Sequence, residues 1–146
     1  LYGKPDIIAG VATGAIGIGI LVADIMNLPL IYVRPNSKKH GRQNQIEGSY
    51  NSEQNVVVIE DLISTGNSSL VAVDALREVD LKIKGMISIF TYGFPTSYEN
   101  FKKNKVELHT LSSYDMLLEQ ALSINYINQK DYKILSEWKK NPQEWG

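Results

Sequence analysis

The sequence predicts an α/β fold: a mostly parallel, twisted sheet flanked by helices. Short apolar runs rich in β-branched residues alternate with longer segments whose apolar residues recur at helical spacing, which is the pattern of strands joined by helical crossovers. Residues 56–59 are apolar at every position, as expected of a central strand that is buried on both faces. The 146 residues have the length of one domain, which we predict over residues 1–146.

In the first half of the chain, the pattern predicts two strands, a helix and a long loop. Residues 6–11 and 30–33 are short β-branched runs, typical of buried strands. Residues 15–27 lie between them and have helical spacing. The predicted inward-facing stripe of this helix consists of Ile16, Ile20, Leu21 and Ile25. Residues 34–48 are polar, include five basic side chains and lack periodicity, so a long loop is predicted, of the kind that is usually functional or disordered.

The second half continues the alternation after the central strand. A helix is predicted at residues 68–79, where Leu70, Val73 and Leu76 recur at spacings of three. A strand is predicted at residues 85–91, because apolar residues again dominate. The remaining predicted elements are a short helix at 98–104, a short strand at 106–108, and helices at 113–124 and 129–139.

Composition excludes several classes of site. The net charge is −1, from 15 basic and 16 acidic residues, which argues against a nucleic-acid partner bound through bulk charge. The chain has no cysteine, so disulfides and thiolate metal sites are excluded, and a reducing, cytoplasmic location is expected. No run reaches the roughly 18 apolar residues that a membrane-spanning helix needs, so no membrane partner is expected.

The residues after the central strand predict a site for a ribose 5-phosphate. Glu60 and Asp61 suit the vicinal hydroxyls of a ribose, as acidic residues do in dinucleotide sites. The small residues 64–69 lead into a helix, whose N-terminal amides can bind a phosphate that Gly66 allows to approach closely. The alternative is an ordinary strand-end turn followed by a helix cap. The acids and the small-residue turn in one continuous run favour the ligand site.

Three segments resemble a known enzyme family. The run VVVIEDLISTGNS at residues 56–68 resembles the phosphoribosyl pyrophosphate (PRPP) motif of the type I phosphoribosyltransferases. The run RPNSKKHG at residues 34–41, with the later IEG at 46–48, is similar to the mobile catalytic loop of the orotate phosphoribosyltransferases. The run AGVATGAI at residues 9–16 is similar to the pyrophosphate loop of that family. The resemblance implies the type I phosphoribosyltransferase fold, whose further N-terminal segment is expected to precede Leu1.

The resemblance also implies a reaction, in which the phosphoribosyl group of PRPP is transferred to orotate to give orotidine 5′-phosphate and pyrophosphate. The residues it implies as catalytic are Lys38, His40 and Asp61. Those it implies for PRPP binding are Arg34, Lys38, Lys39, His40, Glu60, Asp61, Leu62, Ile63, Ser64, Thr65, Gly66, Asn67 and Ser68. For orotate binding it implies Ser64. Thr91 is a further candidate for the orotate carboxylate, with backbone amides or the segment expected before Leu1 as alternatives. Cationic side chains in such a loop can stabilise the charge that develops on departing pyrophosphate.

The implied cofactor is Mg²⁺, held mainly by oxygen atoms of PRPP rather than by a protein cage. The implied assembly is a homodimer in which residues 34–48 reach the neighbouring site. Two positions depart from the family pattern: Pro35 stands where many members have a second Lys, and the segment from Phe90 to Phe94 lacks the Arg that many relatives use for the orotate carboxylate.

Two other functions remain open from the residues alone. One is phosphoribosyl transfer to a purine or to uracil, and the other is a non-catalytic PRPP-binding regulator on the same fold. Tyr92 and Phe94 could line a base pocket or pack in the interior. His109 and Trp138 are interpreted as structural, because His109 lacks metal-ligand spacing to His40 and Trp138 lies in a polar helix.

Overall fold

The protein is described by a computed structural model, which covers residues 1–35 and 45–144. Over these residues, six strands form one sheet in the order β3-β2-β1-β4-β5-β6, parallel except for the antiparallel pair β2–β3. The strands are β1 (Ile7–Val11), β2 (Leu30–Val33), β3 (Ile46–Glu47), β4 (Asn55–Ile63), β5 (Lys82–Thr91) and β6 (Leu108–Ser113). The helices are α1 (Ala15–Met26), α2 (Asn67–Glu78), α3 (Pro95–Lys103), α4 (Tyr114–Ser123) and α5 (Gln129–Lys140), followed by a 3₁₀ turn at Pro142–Glu144. The predicted α/β class is confirmed.

The central strand β4 is longer than the sequence predicts. Its pairing with β1 ends at Gly10↔Ile59, but its pairing with β5 continues to Ile63↔Thr91. The predicted strand end at Ile59 was therefore wrong, because β5 supplies ladder partners for residues that the loss of apolar character had assigned to a turn. As a result, Glu60 and Asp61 lie within a strand.

Two apolar layers cover the sheet. The larger layer includes Ile7, Val56 and Val58 together with Leu70, Val73 and Leu76 of α2, so the apolar residues that predicted this helix form its buried face. The smaller layer joins Ile8, Val57 and Ile59 to Ala15 and Ala23 of α1. Helices therefore cover both faces of the sheet, and its carboxyl edge remains available for a site.

The predicted inward stripe of α1 was wrong. Ile20, Leu21 and Ile25 are 50%, 63% and 84% exposed, whereas Ala15, Gly19 and Ala23 are buried against the sheet. A Cβ at Gly19 would lie 3.4 Å from the Cα of Gly10. Small residues therefore let α1 approach β1 closely, which turns the larger apolar side chains of the helix outward.

The C-terminal part contains one shifted strand and an aromatic cluster. β6 lies at Leu108–Ser113 rather than at the predicted 106–108, because it pairs with β5 from Met86↔Leu108 to Thr91↔Ser113. Trp138 of α5 packs on Tyr92, Phe94 and Tyr114, with ring centroids 5.2–6.2 Å apart. These contacts confirm the structural interpretation of Trp138. None of the helices in residues 1–35 and 45–144 combines the length and the apolar character that a membrane span requires.

Candidate active site

A cradle for an anion, formed by Ser64 to Ser69, lies where β4 passes into α2. Gly66 is the N-cap of α2 and has φ +81°, a conformation that glycine adopts without steric cost. A Cβ at Gly66 would meet the ring of Phe101 at 2.5 Å. The first turn of α2 contains no acidic residue, and the first amides of a helix have no intrahelical acceptor. An anion is therefore favoured here by hydrogen bonds and by the helix dipole.

Helix α3 fixes the cradle from one side. The Asn100 Nδ2 donates to the carbonyl oxygen of Thr65 and to Oδ1 of Asn67, both at 3.0 Å. Phe101 lies beneath Gly66 and is 3% exposed. Sequence reasoning missed both residues. No local spacing marks Asn100, because its contact to Thr65 joins positions 35 residues apart.

The two acids of the predicted ribose site do not face the same surroundings. Glu60 is 5% exposed, and its Oε2 accepts a hydrogen bond from the Ser69 hydroxyl at 2.7 Å. Its Oε1 accepts from the Asp61 amide at 3.0 Å. Asp61 is exposed, since consecutive residues of a strand point to opposite faces. The structure thus places one carboxylate in the interior and one at the surface.

The surface carboxylate lies against the predicted pyrophosphate loop. Its Oδ1 accepts from the Leu62 amide at 2.8 Å, and a Cβ at Gly14 would collide with the Asp61 carboxylate. Residues 9–16 and 60–61 are thereby brought together at the carboxyl end of the sheet. Glycine at position 14 makes this approach possible.

Burial raises the pKa of Glu60 from 4.5 to about 7. The neighbouring Asp61 side chain acts in the same direction, while hydrogen bonds from Ser69 and from the Asp61 amide partly offset the rise. Burial dominates because transfer from water disfavours the charged form of a carboxyl group. Near neutral pH, the Glu60 carboxyl group is therefore partly protonated.

The other residues predicted to bind PRPP differ in how far their side chains are exposed. Ser64, Asn67 and Ser68 are exposed at the cradle, and Thr65 is half-buried. Ile63 is buried in the core, and its carbonyl oxygen accepts from the Tyr92 amide at 3.0 Å. The Leu62 side chain is 41% exposed.

The base of the predicted basic loop is fixed by hydrogen bonds. The Arg34 amide donates to the Gln45 carbonyl at 2.9 Å, next to the antiparallel pair Val33↔Ile46. The Arg34 guanidinium lies 5.4 Å from the centroid of the Tyr32 ring. Its buried Nε has no hydrogen-bond partner among residues 1–35 and 45–144. Lys38, Lys39 and His40 lie outside the described residues.

A cavity of about 460 Å³ adjoins the cradle at Ser64 and Thr65. Tyr92, Phe94 and Trp138 line it together with Lys139 and Lys140, and we call it the aromatic cavity. Tyr92 and Phe94 are thus both packed in the aromatic cluster and exposed to this space. Ser64, a predicted base contact, lies on its wall.

Thr91 and His109 have structural contacts. Thr91 is 3% exposed, and its hydroxyl donates to the Ile63 carbonyl at 3.3 Å and accepts from the Gly93 amide at 3.0 Å. It does not line the aromatic cavity. His109 Nε2 lies 3.0 Å from Glu107 Oε1, and its ring packs on Tyr2, which agrees with its structural interpretation.

Among the described residues, no three His, Cys, Asp or Glu side chains are grouped so that they could hold a metal ion. Asp61 is the exposed carboxylate beside the cradle. It offers hard oxygen donors of the type that Mg²⁺ prefers. A cation carried by a phosphorylated ligand therefore fits this arrangement.

Comparisons with known proteins agree with the predicted family. Residues 1–119 match the phosphoribosyl transferase domain family. The chain is 54% identical over 144 residues to an orotate phosphoribosyltransferase of Cytophaga hutchinsonii, covering 99% of this chain and 69% of that relative. It is 48% identical over 145 residues to that of Porphyromonas gingivalis, with the same two coverages. The crystal structure of orotate phosphoribosyltransferase from Aeropyrum pernix matches with a TM-score of 0.74 at 26% identity, over 86% of this chain and 68% of that one.

Proposed function

Since the chain belongs to the orotate phosphoribosyltransferase family, we infer that it transfers the phosphoribosyl group of PRPP to orotate. The products are orotidine 5′-phosphate and pyrophosphate, and the reaction serves pyrimidine biosynthesis. The observation that carries this function is the cradle at the end of β4, with the exposed Asp61 carboxylate three residues before Ser64.

We propose that the cradle binds the 5′-phosphate of PRPP. Gly66, the unopposed positive end of α2 and the exposed side chains of Ser68 and Asn67 support this assignment. Asn100 holds the Thr65 carbonyl away from the anion, because that oxygen is engaged as an acceptor. The phosphate would therefore meet donors rather than a free carbonyl group.

We assign the direct ribose contact to Asp61 and a positioning role to Glu60. The exposed Asp61 carboxylate can accept hydrogen bonds from the ribose hydroxyls and favour positive charge at C1 in the transition state. Glu60 was predicted as a second ribose ligand, but its carboxylate is buried and bonded to Ser69. Through the Asp61 amide it holds the backbone of its neighbour.

Stabilisation of the departing pyrophosphate is proposed for the basic side chains. Arg34 is the described member of this group and lies at the base of the predicted loop, where its amide donates to the Gln45 carbonyl. Lys38, Lys39 and His40 keep their predicted roles as cationic partners, with His40 able to donate a proton to the leaving group. Closure of the site over PRPP would also keep water from reaching C1 before the base.

The proposal also includes a Mg²⁺ ion, a homodimeric assembly and a cytoplasmic location. Mg²⁺ would be bound mainly by oxygen atoms of PRPP and would neutralise part of the pyrophosphate charge, and Asp61 is an exposed carboxylate that could add a protein oxygen ligand. We propose a homodimer in the cytoplasm, in which Lys38, Lys39 and His40 act in the neighbouring site. Activity recovered on mixing Lys38→Ala and Asp61→Asn homodimers would support this exchange, and no recovery despite subunit mixing would contradict it.

The function is tested by pyrophosphate release from PRPP with a panel of bases. Orotate should be the preferred base over uracil, adenine and hypoxanthine. Asp61→Asn should lower kcat/KM roughly 10²-fold, as expected for loss of an electrostatic contact to the transition state. The matched control is Asp74→Asn on the exposed side of α2, where Asp74 pairs with Arg77, and it should leave kcat/KM unchanged.

Two results would contradict the proposal. Preference for another base would show that the substrate is not orotate and would assign the enzyme to a different substrate class. PRPP binding without pyrophosphate release for any base would indicate a non-catalytic regulator.

A further inference from the structure

Two lysines, Lys139 and Lys140, are among the described residues that line the aromatic cavity. The ammonium group of Lys139 lies against the loop between β5 and α3. A Cβ at Gly93 would lie 3.3 Å from the Lys139 Nζ. Gly93 has φ +69°, so the loop turns sharply beneath the ammonium group. The other lining lysine, Lys140, is 70% exposed and pairs with Glu137.

The Lys139 side chain is held in place by its neighbours. Its Nζ donates to Asp115 Oδ2 at 2.6 Å, and the side chain is 20% exposed. Trp138, the preceding residue, packs against Tyr92 and Phe94, which fixes the end of α5 over the loop. An ammonium group has three donors, so two remain beyond the bond to Asp115.

The chemistry of the aromatic cavity suits a flat anion. Its walls carry the rings of Tyr92, Phe94 and Trp138, and none of the described residues that line it is Asp or Glu. Its volume of about 460 Å³ lies in the range of small-molecule sites. It opens beside Ser64 and Thr65 of the cradle, so a base attached to a ribose bound there would extend toward it.

Orotate is a planar pyrimidine that carries a carboxylate, and a partly buried carboxylate needs a charged donor. The loop after β5 supplies no cation of its own, since its side chains are those of Tyr92 and Phe94. We propose that Lys139 binds the orotate carboxylate in the aromatic cavity and that Asp115 positions its ammonium group. This inference rests on the proposed function and names the residue that confers its base specificity.

The test compares Lys139→Met with Lys133→Met in the full-length protein. Lys133 is an exposed residue of the same helix, so both variants remove one positive charge from α5. Lys139→Met should raise KM for orotate by roughly 10-fold or more, the loss expected for a charge-assisted hydrogen bond. It should change KM for PRPP by less than about 2-fold, because the cradle is untouched. Lys133→Met should change neither constant.

Conservative variants separate binding from folding. Lys139→Arg should retain most of the affinity for orotate, since the charge is kept. Asp115→Asn should raise KM for orotate roughly 3-fold, because the ammonium group loses its tether but keeps its charge. If Lys139→Met fails to fold, Lys139→Gln carries the same test with a polar side chain.

Three outcomes would overturn the inference. The first is an unchanged KM for orotate in Lys139→Met. The second is a rise in KM for PRPP in that variant as large as the rise in KM for orotate. The third is a rise in KM for orotate in Lys133→Met as large as that in Lys139→Met. Each of these requires a wild-type protein that is active with orotate. An inactive wild-type protein would instead contradict the proposed function, so the two failures are distinguishable.

Discussion

Replacing Glu60 with glutamine should stabilise the protein above neutral pH. Glutamine has nearly the same shape and cannot ionise. Its amide oxygen can accept from the Asp61 amide, and its amide nitrogen can donate to the Ser69 hydroxyl, the two partners that Glu60 has in the structure. The substitution therefore removes the charge while its hydrogen bonds can be kept.

The magnitude follows from the pKa of Glu60, which burial raises from 4.5 to about 7. Because the folded state holds this proton more tightly than the unfolded state, the free energy of unfolding falls as pH rises between these two values. The difference corresponds to about 3 kcal/mol once the group is fully ionised. Glu60→Gln should match wild type near pH 4.5 and exceed it by up to about 3 kcal/mol at pH 8.

Urea unfolding of both proteins from pH 4.5 to pH 8 measures this difference directly. Glu119→Gln is the control, because Glu119 is exposed on α4, and its stability relative to wild type should not vary with pH. A constant difference between Glu60→Gln and wild type across the whole range would refute the reasoning. It would mean that Glu60 titrates alike in the folded and unfolded states.

Two further predictions concern the cradle. Gly66→Ala should lower the free energy of unfolding by about 2 kcal/mol in urea titrations, since alanine disfavours positive φ and its Cβ would displace the Phe101 ring. Gly17→Ala, a helical site with open space around it, should instead be neutral or stabilising; equal losses would contradict this explanation. Asn100→Asp removes the donor to the Thr65 carbonyl while keeping the size of the side chain, so KM for PRPP should rise roughly 3- to 10-fold, and an unchanged KM would show that the cradle keeps its shape without this bond.

Local patterns in the sequence predicted the alternation of elements and the position of the cradle. Apolar runs and helical spacing are determined by burial, and the turn from β4 into α2 lies at the carboxyl edge of the sheet, which parallel strands leave open. The family resemblance then supplied the reaction. These predictions held because each depends on residues that are near one another along the chain.

The predictions that failed have a different cause, since they depend on contacts between distant parts of the chain. The exposed side of α1 was taken for its inner side because periodicity finds an apolar face but does not show that Gly19 and Gly10 allow closer packing on another one. The end of β4 was misplaced because its last partners belong to β5. Asn100 and Lys139 were missed as candidate site residues, since their contacts to Thr65 and Gly93 join distant parts of the chain.

Glu60 and Asp61 are adjacent in β4, but their side chains point to opposite faces of the strand, one buried and one exposed. Mutations at the two positions would therefore have different consequences. A substitution at Glu60 that cannot keep its bonds to Ser69 and to the Asp61 amide, unlike Glu60→Gln, would disrupt an interior network and lower the amount of folded protein in the cell. A change at Asp61 leaves that network in place and would be seen in the turnover of each molecule. Such substitutions at two adjacent positions would thus act mainly on different properties, one on the amount of folded protein and the other on the activity of each molecule.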